Sequence, residues 1–413
     1  MCQLSGAGHD GGCDDGGAPH QEAEVEERTR VTAMNSRERL LTALTCETPD
    51  RVPVNTYELD GLNTQSWYNQ QPSYQALMNF IRAHSDCIAN WDAATGDQVL
   101  SGDNTYILGS SHPVPIDCTV ERDGTRERST WMMHTPRGDL RRVLERDDRV
   151  QTTWVIEHWC KSVEDVDKAL SVRFEPIEYD AGDYPRIREE VGDRGLIMSS
   201  LSDPAYLAAD LMSFQDYTTW AYEHPDHFAR AVDVTAPRVM ENLRRMLEAC
   251  VVDLYRICGP EYMTPPYLPP AYFERFMSPH ITAMTEMIHQ FGGYVRLHCH
   301  GRISRVLDMI LDSGCDGTDP CEPPPDGDIE LDEVKRRCAE RQVSVWGNVE
   351  LKVLEQGTTQ QVRDTVQQIM DQAKAGGGFV LLPTAGPINV PLSPKTEGNY
   401  MTMIESAVAS GAY

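Results

Sequence analysis

From Asp50 onward, short apolar runs alternate with longer stretches in which apolar residues recur at helical spacing. The strand-like runs fall at 52–57, 195–200, 251–257, 293–298, 343–347 and 378–382. Runs of this length, separated by amphipathic helices, predict a parallel sheet covered by helices. Upstream, Met34-Asn-Ser-Arg-Glu-Arg-Leu-Leu-Thr-Ala-Leu predicts a helix with Ser36 as N-cap, Arg39 where a capping box would place an acid, and Leu40, Leu41 and Leu44 along one face. Residues 104–158 break the rhythm. There Thr, Val, Trp and Arg alternate around Thr135-Pro-Arg-Gly-Asp, which predicts an antiparallel β-hairpin inserted into the parallel fold. Residues 1–33 are rich in Gly, Asp, Glu and His with almost no large apolar side chains, so they are expected to form a disordered leader. Folding is expected to begin near Met34, itself a candidate translation start, and the single domain to span 34–413.

Charge narrows the partners. Across 413 residues, 37 Lys and Arg face 64 Asp and Glu, a formal charge of −27 spread along the chain. Such a surface repels phosphate backbones and anionic headgroups, which argues against nucleic acid and membranes as partners. No apolar run reaches the roughly 18 residues of a membrane span, and the first residues lack the pattern of a secretion signal, so a cytoplasmic protein is expected. The twelve cysteines, such as Cys46, Cys87, Cys160 and Cys250, are scattered without a C-x-x-C pair, the pattern of reduced, mostly buried thiols.

Several segments, taken in order, resemble the uroporphyrinogen decarboxylase superfamily. They are Ser36-Arg-Glu-Arg-Leu-Leu-Thr-Ala-Leu, Pro49-Asp-Arg-Val-Pro-Val54, Thr135-Pro-Arg-Gly-Asp-Leu140, Lys161-Ser-Val-Glu-Asp165, Arg296-Leu-His-Cys-His-Gly301, Gly347-Asn-Val-Glu350 and Gly376-Gly-Gly-Phe-Val-Leu-Leu-Pro383. The resemblance implies a (β/α)8 TIM barrel and, by analogy, a homodimer. In the decarboxylase proper, an Arg-rich segment after the first strand binds the porphyrinogen carboxylates. Here Val54-Asn-Thr-Tyr-Glu-Leu-Asp60 offers two acids and no base, so the likeness favours the superfamily's methyltransferase branch. In that branch a His-x-Cys-Gly strand motif and a later Cys bind zinc, which prepares a thiol to take a methyl group from a corrinoid. The resemblance puts His298 at the first ligand, His300 at the second and Ala385 at the late Cys. It also implies a corrinoid protein as partner and methyl donor.

The residues themselves support a metal half-site. Positions i and i+2 of a strand point the same way, so His298 and His300 converge while Cys299 faces the opposite side. Their place before Gly301 sets them at the C-terminal mouth, where barrel chemistry is assembled. Carboxylates of neighbouring strand ends, Glu261 or Glu322 and less directly Asp319, are candidates to complete the set, which would suit zinc, or ferrous iron where positions stay open. Glu261, Glu322 and Asn348 are the candidate catalytic residues. Tyr57, Glu58, Asp203 and Asp319 are the candidate substrate contacts. The Gly376-Gly-Gly378 run precedes a strand and lacks P-loop spacing, so it is expected to be a helix C-cap and turn. The leading function is therefore metal-dependent methyl transfer to a small thiol or related substrate. The alternatives are a cofactor-free tetrapyrrole decarboxylase and a non-catalytic metal- or ligand-binding barrel.

Overall fold

A computed structural model describes residues 33–93, 104–105 and 107–413. The leader expected over 1–33 lies, but for Ala33, outside the described residues. Seven parallel strands form one curled sheet in the order β1 (Cys87–Asn90), β7 (Gly195–Ser202), β8 (Leu254–Cys258), β9 (Tyr294–Cys299), β10 (Gly317–Pro320), β11 (Ser344–Val349) and β12 (Phe379–Pro383). Sequential neighbours joined by helical crossovers are what the alternating pattern predicts. β1 and β10 are only four residues long, too short to stand out as apolar runs.

The run at 52–57 is not a regular strand, yet it occupies the gap between the two ends of the sheet. Val54 bridges Leu381 in parallel. The Asn55 amide donates to the Leu381 carbonyl (2.9 Å) and the Leu381 amide to the Pro53 carbonyl (3.0 Å). On the opposite side the Asp86 amide donates to the Val54 carbonyl (2.7 Å). Pro53 has no N–H to give, which limits the ladder here.

The inserted segment is larger than a hairpin. β2 (Asn104–Thr105), β3 (Val114–Asp123), β4 (Arg126–Thr135), β5 (Gly138–Asp147) and β6 (Val150–Glu157) make a five-stranded antiparallel sheet, with Thr135 and Gly138 paired across the β4–β5 turn.

Inside the curled sheet, Ile88, Leu196, Met198, Leu254, Trp346, Val380 and Leu382 form their own apolar cluster, closed at one end by Leu40, Ala43 and Leu44 of the helix Ser36–Leu44. That helix is capped by Asn35, not Ser36. Asn35 accepts from the Glu38 amide and the Glu38 carboxylate from the Asn35 amide, a complete capping box one residue upstream of the expected one. The second, larger cluster lies between the sheet and its covering helices. After the helix Thr359–Ala373, Gly376, Gly377 and Gly378 all take positive φ, the turn expected of them.

Asp86 ties the gap together. Fully buried, it accepts from Arg39 Nη1 (2.7 Å), Arg51 Nη1 (2.8 Å) and the Val54 amide (3.0 Å). Removing one charge from such a buried set leaves the others uncompensated, at a cost of about 3–5 kcal/mol. Asp86→Asn is therefore expected to lower the melting temperature by several degrees. Thermal denaturation checks this, and a change within about one degree would show that the knot does not hold the segment.

Candidate active site

Alternation along β8 and β9 sends Leu254, Arg256 and Cys258, and Tyr294, Arg296 and His298, to the inner face of the sheet. The apolar cluster fills the lower part of that interior, and polar groups begin above it. Trp346 marks the boundary, its indole donating to Ser344 Oγ (2.8 Å). It packs so closely on β10 that a side chain at Gly317 would strike it.

His298 is the best-fixed group in this layer, with 4% of its surface exposed. Nδ1 lies 3.0 Å from Asp319 Oδ2 and Nε2 lies 3.3 Å from the Tyr57 hydroxyl. Burial pushes the imidazole down to about 4, so it is neutral, with the proton placed on Nδ1 toward Asp319 and the Nε2 lone pair facing Tyr57. Burial also acts on Asp319, raising it, but the Arg296 charge and His298 hold its carboxyl well below the usual range. Tyr57 reaches the site through a left-handed backbone turn (φ 58°), with its amide bonded to Asn55 Oδ1 (2.9 Å). Its hydroxyl also accepts from Arg256 Nη2 (2.8 Å). Burial pushes the Tyr57 phenol far up, so it stays protonated.

His300 follows β9 directly, its ring perpendicular to that of His298 with centroids 4.5 Å apart. Its Nδ1 lies 2.5 Å from Glu322 Oε1, and Glu322 Oε2 accepts from the Gly301 amide (2.7 Å). Burial works against the imidazolium, but the Glu322 hydrogen bond and charge outweigh it, so His300 is raised. Glu322 is correspondingly lowered despite its own burial. Glu261, from the turn Pro260–Met263 after β8, is raised by burial, and its Oε2 is buried without a partner.

The sequence-predicted residues divide. His298, His300, Tyr57, Asp319 and Glu322 come together, and Glu261 stands near enough to feel the His300 charge. Asp319 is not on a loop but in β10 itself, fully buried. Asp203, expected to touch substrate, is instead a fully buried helix cap. Its Oδ1 accepts from the Ala205 and Tyr206 amides (2.8 and 2.9 Å), while Oδ2 has no partner and lies against Gly259. Asn348 is buried in β11 and spends its amide on the Cys321 carbonyl (2.8 Å), which suits holding a loop more than touching substrate. Glu58 is exposed at the rim beside Gly386. Cys299 points to the outer core, as alternation requires, 3.4 Å from Thr264 Oγ1.

Two residues were missed. Arg256 and Arg296 face one another in register on β8 and β9. The signal was an arginine inside an otherwise apolar strand run, two residues before the histidine in the case of Arg296.

The family described as uroporphyrinogen decarboxylase (URO-D) matches residues 152–407. No curated protein sequence matches the chain significantly. Among solved structures, a methyltransferase from Methanosarcina mazei is similar over 91% of this chain and 99% of its own, at 18% identity and a TM-score of 0.56, a likeness of fold. A B12-independent methionine synthase from Shewanella sp. W3-18-1, solved in complex with selenomethionine, covers 71% of this chain and 75% of its own at 13% identity and a TM-score of 0.38.

Burial, with the Glu261 charge nearby, pushes Asp203 up to about 7 even though two amides favour its anion. A carboxyl raised above its unfolded value stabilises the fold while protonated. That contribution is complete below the ordinary carboxyl range and is lost as the pH rises through about 7. Asp203→Asn keeps the Oδ1 cap but cannot ionise. Thermal melts between about pH 5 and pH 8 should fall more steeply for the wild type than for the variant, the two curves diverging by about 1–3 kcal/mol. Parallel curves would refute the assignment.

Proposed function

This chain belongs to the uroporphyrinogen decarboxylase (URO-D) family, and on that premise we propose that it is an enzyme of the family's methyltransferase branch. In this reading the curled sheet and the bridging Val54 segment are the family's (β/α)8 barrel. The enzyme moves a methyl or similar one-carbon group onto a small thiol or related acceptor in the barrel mouth. The methyl donor is a corrinoid carried by a partner protein.

One observation carries the reading. At the end of one strand stand two imidazoles, each backed at Nδ1 by a carboxylate, Asp319 behind His298 and Glu322 behind His300. A carboxylate on one ring nitrogen fixes the tautomer and frees the other for a metal or a substrate proton. The donor chemistry suits zinc, or ferrous iron. His298 and His300 would hold the metal, with Glu261, whose buried Oε2 lacks a partner, as the carboxylate donor. Among the described residues no three His, Cys, Asp or Glu side chains already converge as a metal site. Completing the set therefore falls to a movement of Glu261 or to the substrate's own sulfur. When bound, the metal supplies a Lewis acid that acidifies the acceptor.

The protein's own groups prepare the same step. Neutral His298 keeps the Nε2 lone pair, which now faces the Tyr57 hydroxyl, for the metal. The Arg256 guanidinium favours an anion in the mouth, which lowers the cost of forming a thiolate. Cys258, at the end of β8, is pushed up to about 11 by burial, which favours the thiol over the thiolate.

Elemental analysis of the purified full chain, grown with zinc and iron, should find near-stoichiometric metal. That metal should be lost in the His298→Ala, His300→Ala double variant, with folding checked by circular dichroism. Asp319→Asn should weaken metal affinity by about 10–100-fold. The wild type should transfer methyl from methylcobalamin to a small thiol. A metal-free wild type would end the metal-assisted reading. Stabilisation by uroporphyrinogen without methyl transfer would favour a decarboxylase instead.

A further inference from the structure

The inner face of the sheet holds a charge arrangement that the reading above does not use. Arg256 and Arg296 sit directly opposite one another on adjacent parallel strands, both pointing inward. Arg296 is 1% exposed. Its Nε and Nη1 have no hydrogen-bond partner, and its Nη2 meets only the Met198 sulfur at 3.4 Å. Its guanidinium carbon lies 4.8 Å from the centre of the Trp346 ring. Arg256, half-buried, stacks on Tyr57 at 4.8 Å, donates once to its hydroxyl, and leaves a buried Nε unpartnered.

Against these two guanidinium groups the interior sets Asp319, while Glu261, itself raised by burial, also feels the Arg256 charge. Asp319 Oδ1 is 3.2 Å from Arg296 Nε, outside hydrogen-bonding geometry, and its other oxygen is committed to His298. His298 and Tyr57 add no charge, and Glu58, exposed at the rim, lies close enough to raise Arg256. Two like charges on neighbouring strands, with unspent guanidinium donors and no carboxylate in hydrogen-bonding geometry with either, are costly in a dry interior unless a further acceptor completes them. A guanidinium is the group whose fork geometry fits a carboxylate at two points.

We propose that Arg256, backed by Arg296 and Tyr57, forms a binding subsite for a carboxylate on the substrate, next to the His298–His300 pair. The substrate then carries one anionic group beside its reacting atom. One partly buried arginine at the mouth with a second buried behind it suits a small monocarboxylate more than the several acids of a polycarboxylate. The inference rests on the mouth being the substrate site, as proposed above, and not on methyl transfer.

The test is calorimetric binding to the full chain of 3-mercaptopropionate and of its neutral amide, supplemented by a thermal-shift panel of short carboxylates. The acid should bind about tenfold or more tightly than the amide, the worth of one charge-assisted hydrogen-bond pair. Arg256→Gln should erase that preference while leaving the circular dichroism spectrum intact, and Arg256→Lys should restore part of it. Equal binding of acid and amide, an acid preference that survives Arg256→Gln, or no carboxylate bound or stabilising would each overturn the proposal. Acid preference without transfer from methylcobalamin would sink the methyl-transfer reading alone. Transfer without acid preference would sink this inference alone.

Discussion

Everything at the mouth depends on how the two ends of the parallel sheet are held, and that rests on one buried carboxylate. Asp86, itself fully buried, gathers Arg39 from the first helix, the partly exposed Arg51 from the loop after it and the Val54 amide from the bridging segment. In a low-dielectric interior such a set holds only if every member is present. The consequence reaches the active site along a few residues of chain. With Val54 fixed between Leu381 and Asp86, Asn55 donates to the Asp86 carbonyl and accepts from the Tyr57 amide, which delivers the Tyr57 ring to His298 and Arg256. The first helix serves the same end, since Arg39 anchors it by charge while Leu40 and Leu44 seal the inner apolar cluster.

Above that seal the interior changes from apolar to charged within two strand positions. On β9, Tyr294 borders the apolar cluster, Arg296 lies at its upper edge and His298 lies in the polar layer. Trp346 separates the two zones and covers the Arg296 guanidinium with its ring. Exclusion of water by this layer is what makes His298 neutral and lets one carboxylate, Asp319, determine its tautomer. His300, one strand position nearer the rim and half-buried, escapes enough of that desolvation for Glu322 to raise it. Two histidines of one motif thus carry opposite electrostatic tendencies, set by depth and by the charges each one faces.

The architecture was legible because its signal is periodic. Apolar runs marked five of the seven regular strands, and β10 was visible only as the segment before Asp319. β1 escaped because four residues carry too little pattern. The Val52 run showed strand chemistry, but Pro53 restricts its backbone bonding, so it bridges the sheet ends without forming a regular ladder. In the site, the i, i+2 rule placed His298 and His300 together and turned Cys299 away, as found. Depth was not legible. A sequence does not say whether Asp203 faces a cavity or caps a helix, nor that Asp319 lies inside a strand, because both depend on packing between segments far apart in the chain.

The missed arginines teach the opposite lesson. Arg296 stood in plain view inside an apolar strand run, where an unpaired charge is costly enough to need a reason. Attention to ligand spacing at His298 and His300 passed over it. A charged residue in phase with the inward face, two positions below a candidate ligand, belongs to the same wall as that ligand. It must be neutralised by the protein, by water or by what the site binds. Here the protein sets no carboxylate in hydrogen-bonding geometry with either guanidinium, and Arg296 Nε and Nη1 are buried without a partner. Donors left unspent on that wall, beside the candidate ligands, are themselves information about what the site is built to hold.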